Sequence, residues 1–262
     1  MDLLFAKVIA IVNQKGGVGK TTTTINLAAS MGARKRKTLL IDIDPQGNST
    51  SGLGINRKDV SISSYNILLG NVDAKDAVIN TKFKNLDLIP SNLDLSGAEI
   101  ELIEMEHRES RLKNAFSSLL DKYDYIFIDC PPSLGLITTN ALCFSNSILV
   151  PIQCEYYALE GLSQLMNTLR RVKRQYNSTI ELEGIVLTML DGRLNLTQQV
   201  VNEVKKFFPQ KVCKTPIPRS VRISEAPGFG KPILYFDKHS KGALAYKSLA
   251  KEIDEKNVKE RS

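Results

Sequence analysis

A cluster of glycine, lysine and threonine residues near the start of the chain has the composition of a phosphate-binding loop. Residues 15–22 read KGGVGKTT and end in the GK[ST] pattern, between an apolar run and a stretch of helical spacing. Glycines let backbone amides turn towards phosphate oxygens, and the N-terminus of the next helix adds its positive end. In such a loop Lys20 would contact the β and γ phosphates of ATP, and the Thr21 hydroxyl would ligate Mg²⁺. We therefore predict a P-loop over residues 13–22, with ATP-binding positions at Lys15, Gly16, Gly17, Val18, Gly19, Lys20, Thr21 and Thr22. An ordinary glycine-rich turn is the alternative.

Two other apolar runs in the sequence end in aspartate residues. Asp42 and Asp44 end the run that starts at Thr38, and Asp129 ends the run that starts at Tyr125. A carboxylate near a γ-phosphate can hold a water molecule in line for attack, which is most of what protein groups supply in phosphoryl transfer. Each acid of the first pair could instead serve the turn, Asp44 as a cap before Pro45 and Asp42 through a structural hydrogen bond.

The first positions of the loop depart from the usual GxxxxGK[ST] pattern. Asn13 or Gln14 stands in place of the leading glycine, and Lys15 is added. In this form KGGVGKTT resembles the deviant Walker A motif of the ParA/MinD/Soj ATPases. The resemblance implies that Lys15 is the signature lysine, which crosses a dimer interface to the partner's nucleotide. A solvated loop lysine is the alternative.

Four further segments carry the resemblance from about residue 5 to about residue 254. LLIDIDPQGNSTSGLG (39–54) is similar to the family's second motif and implies that Asp44 orients the attacking water, leaving Asp42 a structural role. IFIDCPPSLG (126–135) resembles the Walker B segment and implies that Asp129 lies beside Mg²⁺. PIQCEYYALEG (151–161) and IPRSVRISEAPGFGKPI (217–233) look like the chromosomal ParA/Soj branch. In that branch the positions of Pro218 and Ser220 flank adenine, although a proline-containing turn would also explain them.

The elements that must position these residues alternate between strands and helices. Strands are predicted at 8–12, 38–44, 86–89, 125–129, 147–152 and 184–189, and helical stretches near 94–120, 135–144, 158–176 and 196–208. Apolar strands separated by helices predict a mostly parallel, twisted sheet with helices on both faces, and ligands bind at the carboxyl ends of such strands. The fold class is therefore a single-domain α/β P-loop NTPase. The basic tetrad at 34–37 is predicted to be a solvated connection.

Composition fits one domain in a reducing compartment. The chain has 262 residues without a linker or internal repeat, so residues 1–262 are expected to form one ATPase domain with a solvated tail from about 255 to 262. The cysteines at 130, 143, 154 and 213 include no CxxC pair, and the apolar runs are too short to cross a bilayer. These features predict a cytoplasmic protein.

The charge is distributed unevenly along the chain. Residues 1–192 carry 20 Lys and Arg against 21 Asp and Glu, whereas residues 193–262 carry 15 against 7. A basic surface of this kind suits a polyanion, although a solvated helical face would give the same count. The family resemblance implies DNA contacts at Arg193 and Arg222, with Arg219 and Lys231 as plausible neighbours.

The resemblance also implies a cycle and its partners. Two subunits would close on ATP, the homodimer would bind double-stranded DNA without sequence preference, and hydrolysis would release it. A ParB/Spo0J-type centromere-binding protein would stimulate a slow intrinsic turnover, and the protein would be nucleoid-associated. The task would be segregation of a chromosome or plasmid.

Three related classes are weaker alternatives. A MinD-like membrane-associated positioning ATPase would need an amphipathic C-terminal helix, but the sequence after residue 245 has sparse apolar residues and several acids, among them Glu252 and Asp254, so no membrane contact is expected. A nitrogenase iron-protein type would need a cluster at Cys130 and Cys143, which read as buried thiols. A tyrosine autokinase would need a tyrosine-rich tail, whereas only Tyr235 and Tyr246 lie near the end. Metabolic relatives would need a substrate pocket that no motif indicates.

Overall fold

The fold is built on one twisted sheet of seven strands, seen in a computed structural model that describes residues 5–155 and 158–261. The order across the sheet is β3-β4-β2-β5-β1-β6-β7, and every pairing is parallel except that of β3 with β4. The strands are β1 (Lys7–Ile11), β2 (Thr38–Asp42), β3 (Ile79–Asn80), β4 (Leu86–Ile89), β5 (Tyr125–Asp129), β6 (Ser147–Gln153) and β7 (Glu181–Thr188). The predicted mostly parallel α/β fold is confirmed, and so are all six predicted strands.

The connections between the strands carry the helices. These are α1 (Lys20–Ala33), α2 (Asn48–Gly52), α3 (Ser64–Leu69), α4 (Leu95–Glu101), α5 (Arg111–Ala115), α6 (Leu136–Phe144), α7 (Ala158–Gln175), α8 (Asn195–Phe207), α9 (Val221–Glu225), α10 (Ile233–Phe236) and α11 (Lys241–Arg261). Short 3₁₀ turns lie at Arg57–Asp59, Ala74–Ala77, Leu102–Glu104, Ser117–Leu119 and Ala226–Phe229.

Each face of the sheet is covered by its own apolar core. On one face α1 and α9 to α11 bury residues such as Leu27, Ile233 and Leu249 against the strands. On the other face α3 to α8 bury residues such as Leu68 and Leu165. Strands that are apolar on both sides, such as YIFID of β5, follow from this two-sided coverage.

Two predicted boundaries were wrong. The helical stretch expected near 94–120 is divided into α4, α5 and two 3₁₀ turns, and His107 within it has a positive φ of 53°, which an α-helix does not accommodate. The solvated tail expected from about residue 255 is instead the last part of α11, where Asn257 is 1% exposed and donates a hydrogen bond to Glu183.

The acidic residues of α11 hold the helix to the domain. Asp254 is 3% exposed and accepts hydrogen bonds from Arg34 at 3.0 Å, from Arg36 at 2.9 Å and from the Tyr125 hydroxyl at 3.1 Å. Glu252 accepts from the backbone amides of residues 214 and 215. Half of the basic tetrad at 34–37 is therefore part of a structural ion-pair network rather than a solvated connection, and these two acids face the protein.

A second buried acid lies near Asp254 at the amino edge of the sheet. Glu183 sits at an irregularity in the β6–β7 register and is 6% exposed. It forms ion pairs with Lys7 at 3.4 Å and Lys256 at 3.0 Å, and it accepts from the Ser147 hydroxyl at 2.7 Å. These contacts join the starts of three strands to the end of α11.

Candidate functional site

The loop between β1 and α1 has the backbone shape of a phosphate cradle. Gly17 and Gly19 adopt φ values of 75° and 89°, a region that side-chain-bearing residues rarely enter. A side chain at Gly16 or Gly17 would meet nothing within 4 Å, so open space adjoins the loop. Helix α1 begins directly after Gly19, and its N-terminus therefore faces this space.

Lys20 lies at the base of the loop and is 7% exposed. Its ammonium group donates to the carbonyl of Lys15 at 3.0 Å, so the side chain folds back along the loop. Burial lowers the pKa of Lys20, and the nearby carboxylates of Asp129 and Asp44 oppose that shift. The loop thus holds a desolvated cation where a phosphate would supply compensating charge.

Asp129 is fully buried at the end of β5 and collects hydroxyl donors. Ser49 of α2 donates to it at 2.8 Å and Thr24 of α1 at 3.1 Å, and the Thr21 hydroxyl also hydrogen-bonds to it. Burial raises the pKa of Asp129, and these donors offset part of the shift. Thr21 and Asp129, both predicted as metal positions, are therefore adjacent in space.

The two acids that follow β2 have different surroundings. Asp42 is fully buried and accepts from the amide and hydroxyl of Thr50, at 2.8 and 2.7 Å, and from the amide of Asp44. Burial and the neighbouring Asp129 raise the pKa of Asp42. Asp44 is 8% exposed, lines the cavity beside the loop and accepts from the amide of Gln46 at 2.9 Å. Asp42 thus holds the turn, while Asp44 faces open space.

One cavity of about 660 Å³ joins the loop to the segment after β7. Pro218 and Ser220, predicted to flank adenine, are among the residues that line it. Val18 is instead buried at 2% exposure, and its carbonyl accepts a hydrogen bond from Thr188. Sequence reasoning missed other parts of the lining, which include Gln46, Asn48, Pro132, Thr188, Met189, Ile217, Ile223, Ser224 and Tyr246. Thr188 and Met189 could have been found because they end a predicted strand. Tyr246 comes from α11 through packing alone, and no sequence signal marks it.

Lys15 lies at the rim of the loop, paired with Glu155 just after β6. Lys15 donates to the Glu155 carboxylate, and the two side chains are 42% and 43% exposed. Glu155 belongs to the segment PIQCEYYALEG, whose Tyr156 and Tyr157 lie outside the described residues. Exposed ion pairs contribute little net stability, so this contact leaves Lys15 free to exchange partners.

The four basic residues predicted for DNA lie in two kinds of environment. Arg193 is 88% exposed in its side chain and pairs with Asp191 at 2.6 Å, which holds the pKa of that acid at about 2. Arg222 pairs with Glu225 and Asp237, at 2.9 and 3.1 Å, and stacks on the Phe236 ring at 4.4 Å. Arg219 lines the main cavity itself, and Lys231 lines a smaller cavity that shares Thr21 and Thr22 with it.

The residues at the loop fit a bound magnesium ion better than a metal held by protein alone. No group of three or more His, Cys, Asp or Glu side chains with metal-site geometry occurs in 5–155 and 158–261. Mg²⁺ in nucleotide sites is held by one or two protein oxygens, with phosphates and water completing the shell. Thr21 and Asp129 supply such oxygens, and the raised pKa of Asp129 indicates a buried carboxylate that a cation would stabilise.

Three features of the molecule bear on the alternative classes. No helix within the described residues is long and apolar enough to cross a membrane. The apolar side of α11, which a membrane anchor would expose, packs Tyr246, Leu249 and Ile253 into the core. Cys130 and Cys143 are buried free thiols whose pKa values are raised by burial.

Comparisons with known proteins cover nearly the whole chain. A family model described as an AAA domain matches residues 6–182. The sporulation initiation inhibitor protein Soj of Bacillus subtilis is 57% identical over 247 residues, 94% of this chain and 98% of that protein. The chromosome partitioning protein ParA of Myxococcus xanthus is 51% identical over 247 residues, 94% of this chain and 87% of that protein.

Solved structures show the same fold. A crystal structure of cobyrinic acid a,c-diamide synthase from Mycobacterium smegmatis, with bound ADP and magnesium, matches with a TM-score of 0.83 and 36% identity over 94% of this chain and 93% of that chain. The fold, the P-loop geometry and the relatives agree over nearly the full length, and the chain therefore belongs to the ParA/Soj family of chromosome-partitioning proteins.

Proposed function

We propose that the protein is an ATP-dependent DNA-segregation ATPase whose ATP-bound dimer binds DNA nonspecifically and releases it on hydrolysis. The observation that carries the proposal is the convergence of Lys20, Thr21 and Asp44 on one cavity, with Lys15 at its rim. The phosphate loop and the segment that follows β2 are remote in sequence but meet there, and each supplies a group that phosphoryl transfer requires.

ATP binding is assigned to the loop 15–22 and to Pro218 and Ser220 on the opposite wall of the cavity. Amides at the start of α1 and the Lys20 ammonium would receive the phosphates. Pro218 and Ser220 would border adenine. The cavity between the two walls has a volume of about 660 Å³. Mg²⁺ held at Thr21 and Asp129 would neutralise charge that develops on the phosphates.

Hydrolysis is assigned to Asp44. Its carboxylate borders the cavity, and the hydrogen bond from the Gln46 amide fixes one of its oxygens. The other oxygen can accept from a water molecule placed in line with the γ-phosphate. Because the chain offers positioning rather than a strong base, slow intrinsic turnover is expected.

Dimer formation is assigned to Lys15. In the single chain this lysine is paired with Glu155, and both side chains are more than one-third exposed. A partner's ATP carries several negative charges and offers Lys15 a stronger acceptor than one solvated carboxylate. ATP would thus release Lys15 from Glu155 and join two subunits.

DNA binding is assigned to the basic surface of the C-terminal quarter, with Arg193, Arg219, Arg222 and Lys231 as contacts. The acids that pair with Arg193 and Arg222 are themselves exposed or half-buried, so phosphates can displace them. Affinity scales with the number of phosphates neutralised, and a dimer doubles that number. ATP therefore acts as a switch of DNA affinity. A ParB/Spo0J-type protein would stimulate hydrolysis, and the protein would act in the cytoplasm on the nucleoid.

The test is binding to a nonspecific DNA duplex with ATP, ADP or no nucleotide, in the Asp44→Ala variant to suppress turnover and over a range of salt concentrations. Binding that needs ATP and weakens steeply with salt is the expected result. An ATP-bound dimer that forms but binds no DNA would overturn the proposed function. The same sample sedimented with anionic vesicles would then test the MinD-like alternative.

A further inference from the structure

The turn between β3 and β4 (residues 81–85, TKFKN) lies against the segment that follows α9. The Phe83 and Tyr235 rings are 4.8 Å apart between centroids, and the Lys84 amide donates to the Tyr235 hydroxyl at 3.1 Å. A side-chain carbon built at Gly54 would lie 3.0 Å from the Gly230 carbonyl and 3.3 Å from the Lys82 ammonium. We call Lys82 and Lys84 the turn lysines. The Lys82 ammonium lies near Gly54, which Gly230 approaches closely, and the backbone of Lys84 is held against Tyr235.

The packing that places the turn lysines is rigid. Gly54 and Gly230 approach so closely that a side-chain carbon on Gly230 would come within 2.5 Å of the Gly54 α-carbon. Phe83 is buried at 5% exposure. The turn itself cannot move away from the 226–235 segment without breaking the Phe83–Tyr235 ring contact and the hydrogen bond from the Lys84 amide to the Tyr235 hydroxyl.

The turn lysines differ from Arg193 and Arg222, each of which pairs with a carboxylate. Arg222 is held by Glu225 and Asp237. Lys82, Lys84 and Lys231 are exposed, and within the described part of the chain none of the three forms an ion pair. The Lys82 ammonium instead lies 5.5 Å from the centre of the Phe83 ring. Unpaired ammonium groups held in one patch create a positive potential that a polyanion can neutralise.

Aromatic side chains are interleaved with these cations. Phe229 is 64% exposed and contacts Phe236, whose ring carries the Arg222 guanidinium. Contacts therefore run from Arg222 through Phe236 to Phe229, and the same segment contacts the β3–β4 turn through Tyr235 and Phe83. An anionic membrane is a poorer match than DNA, because membrane-binding surfaces of this class use the apolar side of an amphipathic helix and that side of α11 is buried.

We propose that Lys82 and Lys84 are DNA-backbone contacts that extend the DNA surface from the C-terminal quarter onto the β3–β4 turn. The proposal rests on the proposed function, because it adds contacts to the same ATP-dependent complex. Ammonium groups contact phosphates as point charges without reading bases, which suits binding without sequence preference.

The experiment compares variants in the Asp44→Ala background, with ATP, on a nonspecific duplex from about 50 to about 300 mM salt. The test variant is Lys82→Ala with Lys84→Ala, and its charge-conserving partner is Lys82→Arg with Lys84→Arg. The matched control is Lys173→Ala with Lys206→Ala, two exposed lysines on α7 and α8. ATP affinity and thermal midpoint are measured for each and should not change, because all four lysines are exposed.

We expect the alanine pair at the turn to lose roughly tenfold in DNA affinity at low salt, and its salt slope to fall by about 1 for each lost phosphate contact. The arginine pair and the α7–α8 control should retain the parent slope. A turn variant that keeps the parent slope while Arg222→Ala lowers it would overturn this inference and leave the proposed function standing. A parent that binds no DNA with ATP, or binds only anionic vesicles, would overturn both.

Discussion

Buried carboxylates lie at both edges of the sheet, but their charges are compensated in different ways. At the amino edge, Glu183 and Asp254 each meet two cations within 3.4 Å, and the pKa of each is lowered by those partners against the effect of burial. At the carboxyl edge, burial raises the pKa values of Asp42 and Asp129, and repulsion from a neighbouring acid adds to it, from Asp129 on Asp42 and from Asp44 on Asp129.

The difference distinguishes acids whose charge is compensated within the fold from acids that lie beside the candidate ligand site. A buried carboxylate whose counter-ions belong to the chain stabilises the fold. A buried carboxylate with a raised pKa instead destabilises the fold when it is charged. A ligand that brings positive charge removes that destabilisation. Perturbed acids at the carboxyl edge therefore mark a ligand site, whereas those at the amino edge fasten α11.

The largest effect is expected at the carboxyl edge itself. Lys20→Ala should weaken ATP binding by roughly 100-fold or more, because the loop loses its charge-assisted contact with the β and γ phosphates. Equilibrium binding of a labelled nucleotide measures it, with Lys173→Ala on α7 as the control. If the Lys20 variant bound the nucleotide with wild-type affinity, Lys20 would not contact the phosphates. The carboxyl edge would then no longer be identified as the ligand site.

Asp44→Ala should separate binding from chemistry. We expect ATP affinity within about threefold of wild type and a fall in kcat of about 100-fold or more, because a water-positioning group acts in the transition state. Phosphate release under saturating ATP measures kcat, and Asp59→Ala, an exposed acid in the following 3₁₀ turn, serves as the control. Turnover at the wild-type rate would assign water positioning to another group.

Glu183→Gln should affect stability and leave nucleotide binding unchanged. Lys7 and Lys256 lose a buried carboxylate, so the free energy of unfolding at pH 7 should fall by about 2 to 3 kcal/mol. The folded pKa of Glu183 lies below its ordinary value of 4.5, so this stabilisation is present above that pH and is lost as pH falls through the folded pKa. Denaturant unfolding at pH 7 and near pH 3 measures both.

The two proteins should accordingly differ less at the lower pH. A gap that persists there would mean that the lysines do not account for the stabilisation. A change in ATP affinity in Glu183→Gln would show that the amino edge is coupled to the nucleotide site. That result would contradict the distinction between the two edges of the sheet.

The smallest effect is expected for Asp42→Asn. The amide oxygen can still accept from Thr50, and relief of the repulsion with Asp129 offsets the loss of the longer hydrogen bond from the Asp44 amide at 3.2 Å. Unfolding free energy without nucleotide should stay within about 1 kcal/mol of wild type, or rise. Chemical denaturation in chelator measures it. A loss as large as that of Glu183→Gln would mean that Asp42 is as structural as the amino-edge acid and that a raised pKa does not distinguish the two edges.

The P-loop, the six main strands and the acids at their ends were predictable because each depends on residues close together in sequence. Glycines at positive φ, a strand before them and a helix after them form a local signal, and parallel strands bring their carboxyl ends to one rim. The roles proposed for Lys15, Asp44 and Asp129 rest on the family resemblance of motifs of the same local kind. The interrupted stretch at 94–120 was not predictable, since the turn at His107 has no proline or glycine to announce it.

Only the tertiary structure determined which charged side chains pair with each other. Sequence could not show that Asp254 binds Arg34 and Arg36, because 218 or more positions separate them. Nor could the sequence place Tyr246 in the cavity. It also could not place the β3–β4 turn against Tyr235, because the charge count directed attention to the last quarter of the chain alone. Sequence determines local backbone shape and strand order through short-range sterics and apolar patterning, whereas the partner of a charge is set by packing between elements remote in the chain.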